Sequence, residues 1–169
     1  MIAKAATISH GGNAVRYSVN KDKSEIVKVN FLPDDISAEA MYQRMVLKQK
    51  EFASTINKGR PLKRNVIRME ISPTKEESAG WKLNDWVRLA NEYIQVFDSI
   101  DLSKKAKRAS AKSTNVKNSQ YVVALHHDAK SGILHLHIDV NRVDMNGTVN
   151  DDHLIAERQA IVLMSNTVI

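Results

Sequence analysis

The chain has 169 residues, 43% of them hydrophobic, no cysteine, and a net charge of +6. Length and composition are those of one ordinary globular domain with room for a core, and the lack of cysteine excludes disulfides and thiolate metal sites. No apolar run approaches the roughly 18–20 residues of a membrane span, and MIAKAATISHGG lacks the apolar core of a signal peptide, so a cytoplasmic protein is expected.

In chain order, Ile2 to Ser9 reads as a short first strand and His10-Gly11-Gly12-Asn13 as a turn, with Asn13 placed to cap a short helix from Ala14 to Val19. Glu25 to Phe31 reads as another extended segment or a loop against the body. Pro33-Asp34-Asp35 is a turn, and an amphipathic helix follows from Ser37-Ala38-Glu39 to about Ile56, with Met41, Met45, Leu47, Phe52 and Ile56 near helical spacing. Asn65 to Ile71 alternates as a strand that Ser72-Pro73 terminates. A long helix from near Leu83 to Ile100 carries Trp86, Leu89, Ala90, Tyr93 and Phe97 on one stripe.

Charge is concentrated in the next segment. Between Leu102 and Gln120 stand Lys104, Lys105, Lys107, Arg108, Lys112 and Lys117 with no acid, and the rest of the chain is balanced, 19 bases against 19 acids. Rich in Ser, Thr and Asn, this stretch reads as a flexible loop, and a basic block on a neutral body suggests a polyanion partner.

Tyr121 to Val143, YVVALHHDAKSGILHLHIDVNRV, then forms two strands around a turn. Asn146-Gly147 signals a type I′ hairpin, and Asp152 to Met164 reads as a final helix. The order β-α-α-β-α-β-β-α, with hairpins at the end, predicts an α+β fold with a central antiparallel sheet flanked by helices.

Four of the six histidines fall within Tyr121–Val143. His135 and His137 leave one face of a strand whose other face is Leu134, Leu136 and Ile138. A lone strand histidine is usually a core or surface residue, but two at this spacing facing a third across a hairpin make an imidazole metal site with open coordination positions. His127 is the expected third ligand. It shares a strand face with Tyr121, Val123 and Leu125, whereas His126 points the other way, and periodicity alone leaves the choice between them open. Nitrogen ligands suit manganese, zinc, nickel, cobalt or copper, and nearby carboxylates, Asp128, Asp139 and Glu70 among them, are placed to orient the rings. An ion held by three neutral imidazoles keeps its charge and polarises a phosphodiester oxygen.

The run HHDAKSGILHLHIDVNRV resembles the third motif of conjugative relaxases of the HUH endonuclease superfamily, close to H-x-D-x-x-x-x-x-H-x-H-x-x-x-N. The match places His127, His135, His137 and Asn141, with Asp128 one position earlier than the acid of the pattern. NAVRYSVNKDK is similar to the family's N-terminal motif, with Tyr17 at the tyrosine, and IRMEISPTKE to its middle motif, with Ser72 at the matching serine. The overall look is that of the single-tyrosine mobilisation proteins of plasmids and transposons.

The resemblance implies a bacterial enzyme that nicks single-stranded DNA at an origin of transfer. Tyr17 would form a 5′-phosphotyrosine link that is later reversed, with a divalent ion (manganese, magnesium, zinc, nickel or cobalt) on His127, His135 and His137. A phenol, with pKa about 10, needs a neighbouring cation or base to act as nucleophile. Asp128, Glu70 and Asn141 are the expected supporting residues. Ser72, Arg16, Lys21 and Arg142 are expected near the nicked strand, and Lys104, Lys105, Lys107, Arg108 and Lys112 along its phosphates. Accessory relaxosome proteins and a coupling protein are the other expected partners, and residues 1–169 are expected to form the N-terminal catalytic part of a longer protein. A rolling-circle initiator or transposase of the same superfamily, which usually places its tyrosine after the histidines, a water-activating metallohydrolase, and a DNA-binding module that cleaves nothing are the competing expectations.

Overall fold

The alternation in HLHIDVN sends Leu136, Ile138 and Val140 to one side and His135, His137, Asp139 and Asn141 to the other, and the fold is built around that division. A computed structural model describes residues 1–127 and 130–164. Its strands are β1 (Ile2–Ile8), β2 (Ser24–Asn30), β3 (Val66–Ser72), β4 (Tyr121–His126) and β5 (His135–Asn141). They form an antiparallel sheet in the order β1-β3-β5-β4-β2, so β5 is central and β1 and β2 are the edges.

Helices cover both faces. Helix α4 (Leu83–Ser99) and helix α5 (Ile155–Met164) pack on the face made by Ile67, Met69, Ile71, Tyr121, Val123, Leu125, Leu136, Ile138 and Val140. The expected apolar stripe of α4 is buried there, including Trp86, Tyr93 and Phe97. Helix α1 (Gly11–Asn20) and helix α2 (Ala38–Glu51) lie on the opposite face, where Val15, Met41 and Met45 close over Val66 and Val122. The α+β reading with a flanked antiparallel sheet therefore holds.

Several boundaries differ from the sequence reading. Helix α1 starts at Gly11 with no side-chain cap, and the Asn13 amide oxygen accepts from Arg16 instead. The helix expected to reach Ile56 breaks at Phe52 before a short α3 (Ala53–Asn57). Phe52 lies so close to Gly147 that a Cβ there would stand 2.3 Å from a ring carbon. At Asn146-Gly147 only the glycine has positive φ, so the turn is not type I′, which requires both. The Asp144 carboxylate organises it, accepting from the backbone N–H of Asn146 and Thr148 at 2.9 Å.

The basic segment is pinned rather than flexible. Asp98, near the end of α4, accepts from the backbone N–H of Val116 and Lys117 and from the Thr114 hydroxyl at 2.7–2.9 Å. From α5 the buried Arg158 donates to the carbonyls of Phe97, Ile100, Ala111 and Lys112. Two side chains thus satisfy backbone groups that an irregular segment leaves over, while its lysines stay exposed.

The entry to α1 depends on close approach. A Cβ on Gly11 would stand 2.5 Å from Val66 Cγ2 and 2.9 Å from Asn65 Oδ1, both parts of packed structure. Gly11→Ala is expected to destabilise the protein by about 1–3 kcal/mol, the usual cost of overpacking, measured as a lower urea midpoint at unchanged slope.

Candidate active site

The side chains that carry chemistry lie on the α1/α2 face, at the end of the sheet where β4 ends and β5 begins. Cross-strand register puts them there. His126 pairs with His135, Ala124 with His137 and Val122 with Asp139, and directly opposed residues of an antiparallel pair share a face. His126, His135 and His137 converge, each offering a nitrogen within 4.8 Å of the others. Ring centroids are 4.2 Å apart for His126 and His137, 5.2 Å for His126 and His135, and 5.0 Å for His135 and His137. Ala124, between them on the sheet, leaves room for the rings.

The convergent third histidine is therefore His126, not His127. His127 lies on the other side of the backbone, with Nε2 3.7 Å from Glu25 on β2. With His126 as the first histidine, Asp128 falls at the third place of H-x-D, and the one-residue offset disappears; the loop to His135 then carries one residue more than the pattern. Asp128 itself is outside the described residues.

Supporting groups fix the rings. His126 Nε2 is 2.8 Å from the Ser18 carbonyl, an acceptor, so Nε2 carries the proton and Nδ1 the lone pair. Because Ser18 follows Tyr17, this bond ties the histidines to the backbone of α1. Arg68 on β3 donates from Nη2 to His137 Nδ1 at 3.0 Å, and Glu70 Oε1 stands 3.7 Å from His137 Nε2. Opposite Arg68 in the β3–β5 register is Asp139, fully buried. Burial pushes its carboxyl up to about 6; the Ser18 hydroxyl and the Arg68 guanidinium offset this in part, without reaching hydrogen-bond geometry with either oxygen.

Tyr17 completes the group. It is 42% exposed, which leaves room for a substrate, and its ring centroid is 5.5 Å from His126 and 5.6 Å from His137. Two cations flank it: Lys21 Nζ lies 5.0 Å and Arg68 Cζ 5.1 Å from the ring centroid. The other tyrosines are elsewhere. Tyr93 and Tyr121 are buried in the α4/α5 core, and Tyr42 is half-buried against α1.

The remaining expected residues divide sharply. Glu70 and Ser72 reach the site, lining with His135 and Lys4 a hollow of about 210 Å³. Arg16 is exposed beside Tyr17, paired with Glu39 and Asn13. Asn141 does not reach the histidines. It lies four residues beyond His137 on β5, about 13 Å away at strand rise, and ties together Met45, Gln120 and Gln49. Arg142 is a brace there, donating to the carbonyls of Asn150 and Arg64.

Lys104, Lys105, Lys107, Arg108 and Lys112 belong to the segment that enters β4 at Tyr121, the end remote from His126, and Arg108 is engaged by Asp151 and Asp152. They do not flank the site. Arg68 was missed in sequence because a charged residue in an alternating strand reads as solvent-facing.

A flanked antiparallel sheet carrying clustered histidines on its central hairpin is the HUH endonuclease type of α+β domain. Among solved structures, two complexes of the conjugative relaxase TrwC with oriT DNA share the fold. The metal-bound one has a TM-score of 0.50 and 11% identity over 95% of this chain and 66% of that one. The metal-free one has a TM-score of 0.51 and 12% identity over 95% and 64%. The chain thus spans about two thirds of the length of those relaxases. No curated protein matches it in sequence. The model of the MobA/VirD2-like relaxase nuclease domain matches residues 15–167, and the chain belongs to that family. No helix among the described residues is long and apolar enough to cross a membrane.

Proposed function

We propose that this domain nicks one strand of DNA at an origin of transfer by tyrosine transesterification and reseals it by the reverse reaction. The observation that carries the reading is the position of Tyr17, exposed and within 5.6 Å, ring to ring, of both His126 and His137. The Tyr17 oxygen attacks the scissile phosphorus, forming a 5′-phosphotyrosine bond. The bond from phosphorus to the 3′ oxygen breaks, and the proton lost by the phenol is balanced by the one gained by the new 3′-hydroxyl. No water enters, so the phosphodiester is exchanged rather than hydrolysed and can be restored.

His126, His135 and His137 would hold a divalent ion, three nitrogen donors being a fitting set once the Arg68 contact gives up a His137 lone pair, and such an ion supplies polarisation of a phosphate oxygen. Lys21 and Arg68 place positive charge beside the ring that becomes a phenolate, and Arg68 also holds His137. Glu70 and Ser72 border the hollow next to His135, where the strand beside the scissile phosphate would pass.

The test is incubation with manganese and single-stranded origin DNA, followed by a denaturing gel. A covalent protein–DNA band that a chelator prevents is the expected result. Release of a 5′-phosphate without an adduct would make the domain a water-using hydrolase, and binding without cleavage a DNA-binding module. Within this reading, Arg68→Met is expected to slow adduct formation by about 10²-fold, as for loss of one preorganised donor, while the melting temperature stays within a few degrees.

A further inference from the structure

A second cavity, of about 440 Å³, lies between α2, α3 and the segment leading into β3, with Ser9, just before α1, in its wall. Its size falls in the roughly 300–1,000 Å³ range of sites that enclose a small ligand group. Its walls combine Tyr42, Val46 and Ile56 with the amides of Gln49 and Asn65.

These groups are held in place. Tyr42 rests on the glycines that open α1, where a Cβ on Gly12 would stand 3.0 Å from two of its ring carbons. Asn65 Nδ2 donates to the Tyr42 hydroxyl at 3.1 Å, which leaves the hydroxyl proton to donate elsewhere. Gln49 Nε2 donates to the Asn65 carbonyl at 3.1 Å and to Asn141 Oδ1 at 2.8 Å, so that amide is oriented too. Asn65 Nδ2 also donates to Gln49 Oε1 at 3.3 Å, so the amide N–H groups are spent on fixing the wall, and the immobilised Tyr42 ring with its hydroxyl proton provides stacking and an edge hydrogen bond, the two interactions by which proteins hold an unstacked nucleobase.

The rim is cationic. Lys50 and Arg60 line the cavity, and Lys58, Lys63 and Arg64 are exposed on the same connection. From Phe52 to Met69 the chain contains no acid. The cavity lies toward the Asn141 end of the sheet, a few nucleotides' length from the reacting tyrosine. Gly12 and Tyr17 are five residues apart on α1, about 7.5 Å along the helix at 1.5 Å per residue.

We infer that this cavity takes one everted base of the bound single strand, a few nucleotides from the phosphate at Tyr17, with Lys50 and Arg60 on the flanking phosphates. The inference rests on the nicking reading and adds a place where strand identity is read. It also locates the phosphate-tracking charge on the connection between α3 and β3, not on the lysine segment before β4.

The test uses short single-stranded oligonucleotides carrying 5-iododeoxyuridine at each position in turn, irradiated with the protein and mapped by mass spectrometry. One position is expected to cross-link to Tyr42. Ala53→Trp, which fills the cavity from a half-buried position outside the nicking site, is expected to lose that cross-link and weaken binding about tenfold. Exposed Arg60→Ala, in case the first variant misfolds, is expected to lower the slope of log affinity against log salt by about one unit. Cross-links confined to the neighbourhood of Tyr17 and the histidines, with both variants binding as the parent does, would overturn the cavity while leaving the nicking reading intact. A Tyr42 cross-link without any covalent adduct would do the reverse. Protection of Tyr42 by deoxynucleoside monophosphates as effective as that by the strand would make this a free-nucleotide site and overturn the inference.

Discussion

Replacing Tyr17 by phenylalanine is expected to abolish the covalent protein–DNA adduct and strand cleavage together, while single-stranded DNA binding and the melting temperature stay close to those of the parent. The substitution removes one oxygen from a ring that is 42% exposed, so it leaves no buried polar group unpaired and no cavity behind. The effect on rate is expected to be large, because deleting a nucleophile elsewhere has lowered turnover by up to about 10⁶-fold. A gel and a filter-binding assay on the same preparations measure it. Cleavage by Tyr17→Phe at more than about a thousandth of the parental rate would move the nucleophile elsewhere. The other three tyrosines offer no ready substitute, since Tyr93 and Tyr121 are buried in the opposite core and Tyr42 packs on Gly11 and Gly12 at the other end of α1.

The second large effect separates two neighbouring histidines. His126→Ala is expected to lower divalent-metal affinity by more than the roughly 10–100-fold that a merely supporting group is worth, and His127→Ala to leave it within about threefold. His126 presents its Nδ1 lone pair among three clustered imidazoles because Nε2–H is committed to the Ser18 carbonyl. His127 faces Glu25 on the edge strand. Isothermal titration with manganese, and with zinc as a tighter probe, distinguishes the two. Equal losses in both variants would mean that the hairpin pairs differently in solution. His126→Asn is a useful companion, because an amide can still donate to the Ser18 carbonyl and so separates loss of a nitrogen ligand from loosening of α1.

Much of the architecture could be read from local pattern. Strands β3, β4 and β5 are alternating or largely apolar stretches, and α4 carries the apolar stripe that its core contacts use. Errors came where tertiary contacts override local preference. Phe52 breaks a helix because its ring lies against Gly147, and Asn13 leaves the cap position empty because close packing of Gly11 starts α1 earlier. The basic segment looked mobile by composition, yet Asp98 and Arg158, from two separate helices, take up its backbone groups. No local signal in residues 102–120 announces partners so distant in sequence.

That three histidines would meet was legible in local pattern: the i, i+2 spacing of His135 and His137 puts both on one face of β5, and the preceding strand brings a third within reach. Which third histidine it would be was decided only by tertiary structure. Adjacent residues on a strand face opposite ways, and a shift of one in the pairing of β4 with β5 would exchange His126 for His127. The register is held by burial on both faces: Val123 and Leu125 must enter the α4/α5 core, Val122 must enter the core under α1 and α2, and His126 then arrives opposite His135. The same constraint turns Arg68 and Glu70 of β3 toward the histidines and sends Asn141 to the far end of the sheet, because strand parity and distance along the sheet emerge only when the strands are paired.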